Sequence, residues 1–148
     1  KFLQKRLERL AQIYYEERKV DVTKLAMAGA AGGLAGGLAS VGANLINGFE
    51  AVAENVGLLE LVEEADLVVT GEGEVNESRF NGKVVGGVLQ LARETNTEAI
   101  VIAGQVSGNV DRSIPIFTLI ECAGKELAYA DTRQAIKKTA EKAVCDWA

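Results

Sequence analysis

Apolar residues recur at helical spacing from the start of the chain. Leu3, Leu7, Leu10, Ala11 and Tyr14 fall on one face, and that period predicts an amphipathic helix. Lys5, Arg6, Glu8, Arg9, Glu16 and Glu17 occupy its other face, as expected of a solvated surface. Val20 to Leu25 then predicts a short extended link. Met27 to Ser40 is almost entirely Ala, Gly and Leu. Ala and Leu favour helix, whereas each interior Gly costs about 1 kcal/mol against Ala, so these glycines make sense where something approaches the backbone closely. Between Glu50 and Ala65, Val52, Val56, Leu59 and Val62 again lie about one helical turn apart.

The period then changes. Asp66–Thr70, Ala99–Ala103 and Pro115–Ile120 are short continuous apolar runs, and they predict strands at Leu67 to Thr70, Ile100 to Ala103 and Ile116 to Ile120. The first is expected to stop at Gly71 and the second at Gly104. Pro115 opens the third, where a missing N–H is tolerated. Val84, Val85, Val88, Leu89 and Ala92 mark a helix from about Gly82 to Thr95. Asp131, with Gln134 three residues on, predicts a capped last helix, whose apolar stripe is Ile136, Ala140, Ala143, Val144 and Trp147. Buried strands alternating with helices specify an α/β fold, a parallel sheet covered by helices on both faces, Rossmann/flavodoxin-like and doubly wound. That domain is expected over residues 49–148. Residues 1–48 form a helical and Gly/Ala-rich segment, part of a second subdomain.

Composition narrows the classes. The chain has 148 residues, 48% hydrophobic and 25% charged, as in a globular protein rather than a disordered tail or a disulfide scaffold. A net charge of −5 argues against nucleic acid or an anionic membrane as partner. Leu25 to Leu45 is too rich in Ala and Gly for a membrane span. Lys1 to Lys19 has no apolar signal region, which together with two thiols, Cys122 and Cys145, expected to stay reduced, suggests a cytoplasmic protein. The chain contains no His. That excludes a Ser-His-Asp triad, a Cys-His pair and the usual His-bearing zinc site. Chemistry is left to carboxylates, Lys, Arg, hydroxyls, backbone amides or a hard metal ion. The chain opens within a helical pattern and without Met, so it is expected to be a fragment.

Ligands of open α/β sheets bind beyond the carboxyl ends of strands. The richest such end is Thr70-Gly71-Glu72-Gly73-Glu74-Val75-Asn76-Glu77-Ser78, leading to Gly82-Lys83. Gly71 and Gly73 allow close approach of a ligand. The amides after Gly82, with Lys83, would favour an anion. Two nucleotide motifs fail here. G-x-x-x-x-G-K-[ST] ending at Lys83 needs Gly at 77 and a hydroxyl at 84, which are Glu77 and Val84; G-x-G-x-x-G from Gly71 needs Gly at 76, which is Asn76. On residues alone, a plain Gly-rich turn and a phosphate or substrate loop stand level, as do a surface and an anion-binding Lys83. Gly29, Gly32, Gly33, Gly36 and Gly37 favour close helix packing over ligand binding.

Three blocks resemble the bacterial-type glycerate kinases, which phosphorylate D-glycerate from ATP. Gly29-Ala-Ala-Gly-Gly-Leu-Ala-Gly-Gly-Leu38 looks like that family's glycine signature. Ala65-Asp-Leu-Val-Val-Thr-Gly-Glu-Gly73, followed by Gly82-Lys83-Val84, is similar to its threonine-Gly-Glu-Gly and Gly-Lys block. Gly87, Val88 and Ile116 to Thr132 fit more loosely. The family usually has Asp at the position of Asn76 and a basic residue at that of Glu74. Its members are also longer, with an N-terminal segment absent here, so the resemblance implies a C-terminal portion that would phosphorylate poorly alone. It implies ATP as co-substrate, Mg²⁺ as metal ion and glycerate as substrate. Glu72 and Lys83 would be catalytic, with Glu72 also contacting the metal. Thr70, Gly71, Gly73, Asn76, Ser78, Gly29, Gly32 and Gly33 would bind substrate or nucleotide. The implied associations are a homo-oligomer or the family's N-terminal part. Two rivals stand beside this: a non-catalytic ligand- or partner-binding fragment or degenerate paralogue, and a plain α/β domain whose glycines only pack.

Overall fold

The computed structural model describes residues 2–76, 84–110 and 113–148. The chain divides into two compact units, Lys1–Ala51 and Val52–Ala148.

The first unit opens with helix α1 (Phe2–Arg18), as its apolar period predicts. The expected extended link instead coils into a 3₁₀ turn, Val22–Lys24. Asp21 caps it, its carboxylate accepting from the Thr23 amide at 3.2 Å, and this local bond competes with an extended backbone. The Gly/Ala run is not one helix. Its backbone turns left-handed at Met27, Ala31, Gly32 and Gly33, and α2 (Leu34–Ser40) begins only after them. Gly36 donates to the Ala28 carbonyl at 2.9 Å, and a Cβ there would lie 3.0 Å from that oxygen. A Cβ on Gly37 would lie 3.2 Å from the Tyr14 hydroxyl. A Cβ on Gly33 would lie 3.1 Å from Leu7 Cδ2, so close packing belongs to Gly33, Gly36 and Gly37 and not to Gly29 or Gly32.

The expected helix from Glu50 to Ala65 is two helices, α3 (Gly48–Val56) and α4 (Leu58–Glu63). Gly57, at φ +62, breaks it in the left-handed conformation that glycine adopts without steric cost. Then come β1 (Leu67–Val75), α5 (Val84–Thr95), β2 (Glu98–Val106) and β3 (Ile116–Thr118). Helices α6 (Leu119–Ala123), α7 (Lys125–Ala130) and α8 (Thr132–Trp147) complete the unit.

Among the described residues the sheet has three strands in the order β1-β2-β3. Both pairings are parallel, with Val69 opposite Ile100, Gly71 opposite Ile102, and Val101 opposite Ile116. Successive side chains of a strand point to opposite faces, and β2 shows the consequence. Val101 and Ala103 join Val85, Leu89 and Val75 in one core. Ile102, between them, packs with Leu119, Ala128 and Ala135 in another. The sheet is therefore covered on both faces, α5 on one and the C-terminal helices on the other, as the continuous apolar runs require.

Two further expectations need correction. The third strand ends at Thr118, and Leu119 and Ile120 are helical. Thr118 is the N-cap of α6: its hydroxyl oxygen accepts from the Glu121 amide at 3.1 Å, which starts a helix where the apolar run alone suggests more strand. The stripe that α8 buries is Ala135, Thr139 and Ala143, which shares only Ala143 with the expected one, and Ile136 remains 47% exposed. Small side chains let the helix approach its neighbours closely, and Thr139 satisfies its hydroxyl on the Ala135 carbonyl at 2.9 Å. The cap itself is as expected, Asp131 accepting from the Gln134 amide at 3.0 Å. Cys122 and Cys145 are free thiols. No helix among the described residues is long and apolar enough to cross a membrane.

Candidate functional site

The glycine-rich stretch after Thr70 is not a loop beyond a strand end. β1 continues through Gly71, Glu72, Gly73 and Glu74, and its pairing with β2 extends to Val75 opposite Val106. The glycines are the reason. A Cβ on Gly71 would run into the Ile102 carbonyl oxygen, and one on Gly104 into the carbonyl oxygen of Gly73. Side chains at these positions would force the strands apart; glycines let the ladder continue.

The absence of side chains has a second result. A cleft of about 630 Å³ lies in the second unit. From β1 it is lined by Val69, Thr70, Gly71, Glu72 and Gly73, and from β2 by Ile102, Ala103, Gly104 and Gln105. Leu119 and Ile120 of α6, Ala128 and Tyr129 of α7, and Thr132 and Ile136 of α8 complete it. Gly73 has open space where its Cβ would be. Thr70 is buried, at 8% exposure, and Glu72 is half-buried. Glu72 is the one charged residue among the described lining residues.

The expected site residues therefore fall into four groups. Thr70, Gly71, Glu72 and Gly73 line this cleft together. Asn76 follows β1 directly and is outside the lining. Glu74 also lies outside it, with its carboxylate accepting from the Ser107 hydroxyl at 2.7 Å. Ser78 and Lys83 lie outside the described residues, as does the question of whether Lys83 shares a cleft with Glu72. Gly29, Gly32 and Gly33 belong to the first unit. There Gly29 and Gly33 line a separate, mostly apolar hollow of about 420 Å³ with Leu7, Ala11 and Tyr14 of α1. Gly32 is not in that lining. A Cβ on Gly29 or Gly32 would meet nothing within 4 Å, so packing does not demand glycine at either. At Gly32 the positive φ of +68 does.

Sequence reasoning did not find the wall of α6, α7 and α8. Ile120 looked like strand, and Ile136 like core. The available signal was on α8: Ala135, Thr139 and Ala143 form a complete buried stripe of their own, which frees Ile136 for another surface.

Among the described residues no three His, Cys, Asp or Glu side chains gather around a common point. A cage built wholly from protein is therefore absent there. The residues of the lining that carry side-chain oxygens are Thr70, Glu72, Gln105, Tyr129 and Thr132. That donor set fits Mg²⁺, which keeps several waters and takes one or two carboxylates with substrate phosphates.

Comparison with known proteins agrees with the blocks noted in the sequence. The glycerate kinase family model matches residues 1–148. The chain is 40% identical over 105 residues to the glycerate kinase of Halalkalibacterium halodurans, covering 70% of this chain and 28% of that protein. It is 36% identical over 109 residues to the glycerate 2-kinase of Escherichia coli K12, covering 73% and 29%. Against the glycerate kinase of Bacillus cereus the identity is 32% over 154 residues, covering 99% and 40%. The chain thus spans less than half the length of these relatives. A crystal structure from Salmonella typhimurium LT2, provisionally named glycerate kinase 2, superimposes with a TM-score of 0.53 and 31% identity, covering 96% of this chain and 39% of that one. A family match along the whole chain, with a fold shared over nearly all of it, shows that the chain belongs to the glycerate kinase family.

Proposed function

We propose that this protein serves the ATP-dependent phosphorylation of glycerate and that the chain supplies a C-terminal portion of the site. The observation that carries the reading is the family block Thr70-Gly71-Glu72-Gly73, which lines a cleft of about 630 Å³ rather than a filled core. Phosphoryl transfer needs little covalent help from a protein. It needs the reactants held in line and their charge neutralised, which a chain without His can provide. Glu72 would hold Mg²⁺ through its carboxylate or accept from the reacting hydroxyl. Gly71 and Gly73 leave the β1 backbone open to close approach by a reactant. Mg²⁺, when bound, would neutralise phosphate charge. Lys83, Asn76 and Ser78 remain proposed neighbours of the reactants; Gly29, Gly32 and Gly33 remain proposed substrate- or nucleotide-binding residues by the family resemblance alone. A cytoplasmic setting fits a kinase that draws on ATP.

The test is a coupled ADP-release assay with D-glycerate, run on the 148-residue chain and on the longest reading frame that contains it. Glycerate-dependent turnover is expected from the longer protein and very little from the chain alone. Turnover by neither, under conditions where a related glycerate kinase is active, overturns the reading and favours a ligand-binding paralogue. Robust turnover by the short chain would show that these residues hold a complete site.

A further inference from the structure

We propose that the wall formed by α6, α7 and α8 is an adenine-base subsite, with the base lying against Ile120, Tyr129 and Ile136; this rests on the kinase reading above. Three observations support it. The first is size. A cleft of about 630 Å³ is in the range of nucleotide-sized ligands, and a three-carbon acid would leave most of it filled with water against apolar side chains. The second is charge. Glu72 is the one charged residue among the described lining residues. It belongs to β1, whereas the described lining residues of the α6, α7 and α8 wall are all uncharged, and a wall without a cation suits the neutral base better than an anion. The third is an apolar surface that the fold does not use for itself. α8 buries Ala135, Thr139 and Ala143, yet Ile136 is 47% and Tyr129 69% exposed while both line the cleft. Flat apolar faces are what a purine offers such side chains, and what glycerate lacks. The polar edge of the base would find Gln105 or Thr132, which are in the same lining. The glycine end, Gly71 to Gly73, is then left for the phosphates.

Adenosine is the probe, because it carries the base without phosphate. Its binding to the 148-residue chain is measured by calorimetry or saturation-transfer NMR, with inorganic tripolyphosphate and glycerate as controls. Adenosine is expected to bind, and Tyr129→Ala and Ile136→Asp are each expected to weaken it about tenfold, the scale of losing one stacking partner or of placing a charge against the base. Ile136→Met should keep adenosine binding, which separates a lost contact from a lost fold. Binding of tripolyphosphate or glycerate, where seen, should not change. No adenosine binding, or adenosine binding untouched by both variants, overturns the subsite. Loss of glycerate binding in these variants with adenosine unaffected overturns it too, and gives the wall to the acid. The ADP-release assay keeps the two readings apart. Adenosine held at the wall with no phosphoryl transfer by the longer protein supports the subsite and defeats the kinase reading; transfer by the longer protein without adenosine at the wall does the reverse.

Discussion

At Gly71 and Gly104 the neighbouring strand's carbonyl oxygen occupies the space a Cβ would need, whereas at Gly73 that space is open. Chemically identical substitutions should therefore have different effects. Gly71→Ala is expected to destabilise the fold by about 1–3 kcal/mol, the usual cost of forcing extra atoms into packed structure. Gly73→Ala should stay within about 0.5 kcal/mol of the parent. Urea midpoints of the two variants check this, and equal midpoints would show that the strands part without cost. Another local device is Asp21. The Thr23 side chain, and after it Lys24, hold the Asp21 carboxyl below its ordinary value. With its folded pKa below its unfolded value, the contribution of this group is present above the ordinary carboxylate range and is lost as pH falls through the lower folded value. NMR titration of the Asp21 carboxyl should report the lowered value, and Thr23→Val should return it towards that of a free aspartate.

At the scale of elements, α8 illustrates what an apolar pattern leaves undecided. Ile136, Ala140, Ala143, Val144 and Trp147 look like a core stripe, but the helix turns Ala135, Thr139 and Ala143 inward. Both phases contain small or apolar residues, so periodicity alone does not choose between them. Ala135 is fully buried, and Ala135→Leu should cost about 1–3 kcal/mol by overpacking. The cap at the start of the same helix was legible from Asp131 and Gln134, because it depends on residues three apart. Asp131→Ala should lower stability by about 1 kcal/mol, read as a lower thermal midpoint. The strand lengths were less legible. β1 continues past Gly71 because β2 has Gly104 beside Gly73, a coincidence between two residues 31 apart in the chain. β3 is cut short by the cap at Thr118, whose bond to Glu121 was present in the sequence but hidden within an apolar run.

For the whole molecule, the activity prediction centres on Glu72. Glu72→Gln in the longest reading frame is expected to lower glycerate-dependent turnover about ten- to hundredfold, the range seen when support of a metal is weakened. The loss should fall on kcat more than on KM if the carboxylate acts mainly on the transition state; an unchanged rate would remove Glu72 from the reaction. The sequence by itself determined the α/β class, because buried parallel strands must be apolar on both faces and helices must carry one apolar stripe. It also determined the family, through blocks whose order and spacing survive in a linear reading, and it left no histidine among these 148 residues. Tertiary structure decided where the glycine block stands: inside a strand facing a cleft, not in a loop past the strand end. It also decided which side chains complete that cleft. Ile102, Ile120, Tyr129 and Ile136 come from four separate elements, and they form one surface only after the sheet has paired and the C-terminal helices have packed on it. Local pattern records what a residue prefers, whereas a cleft is what remains when distant preferences have been satisfied together.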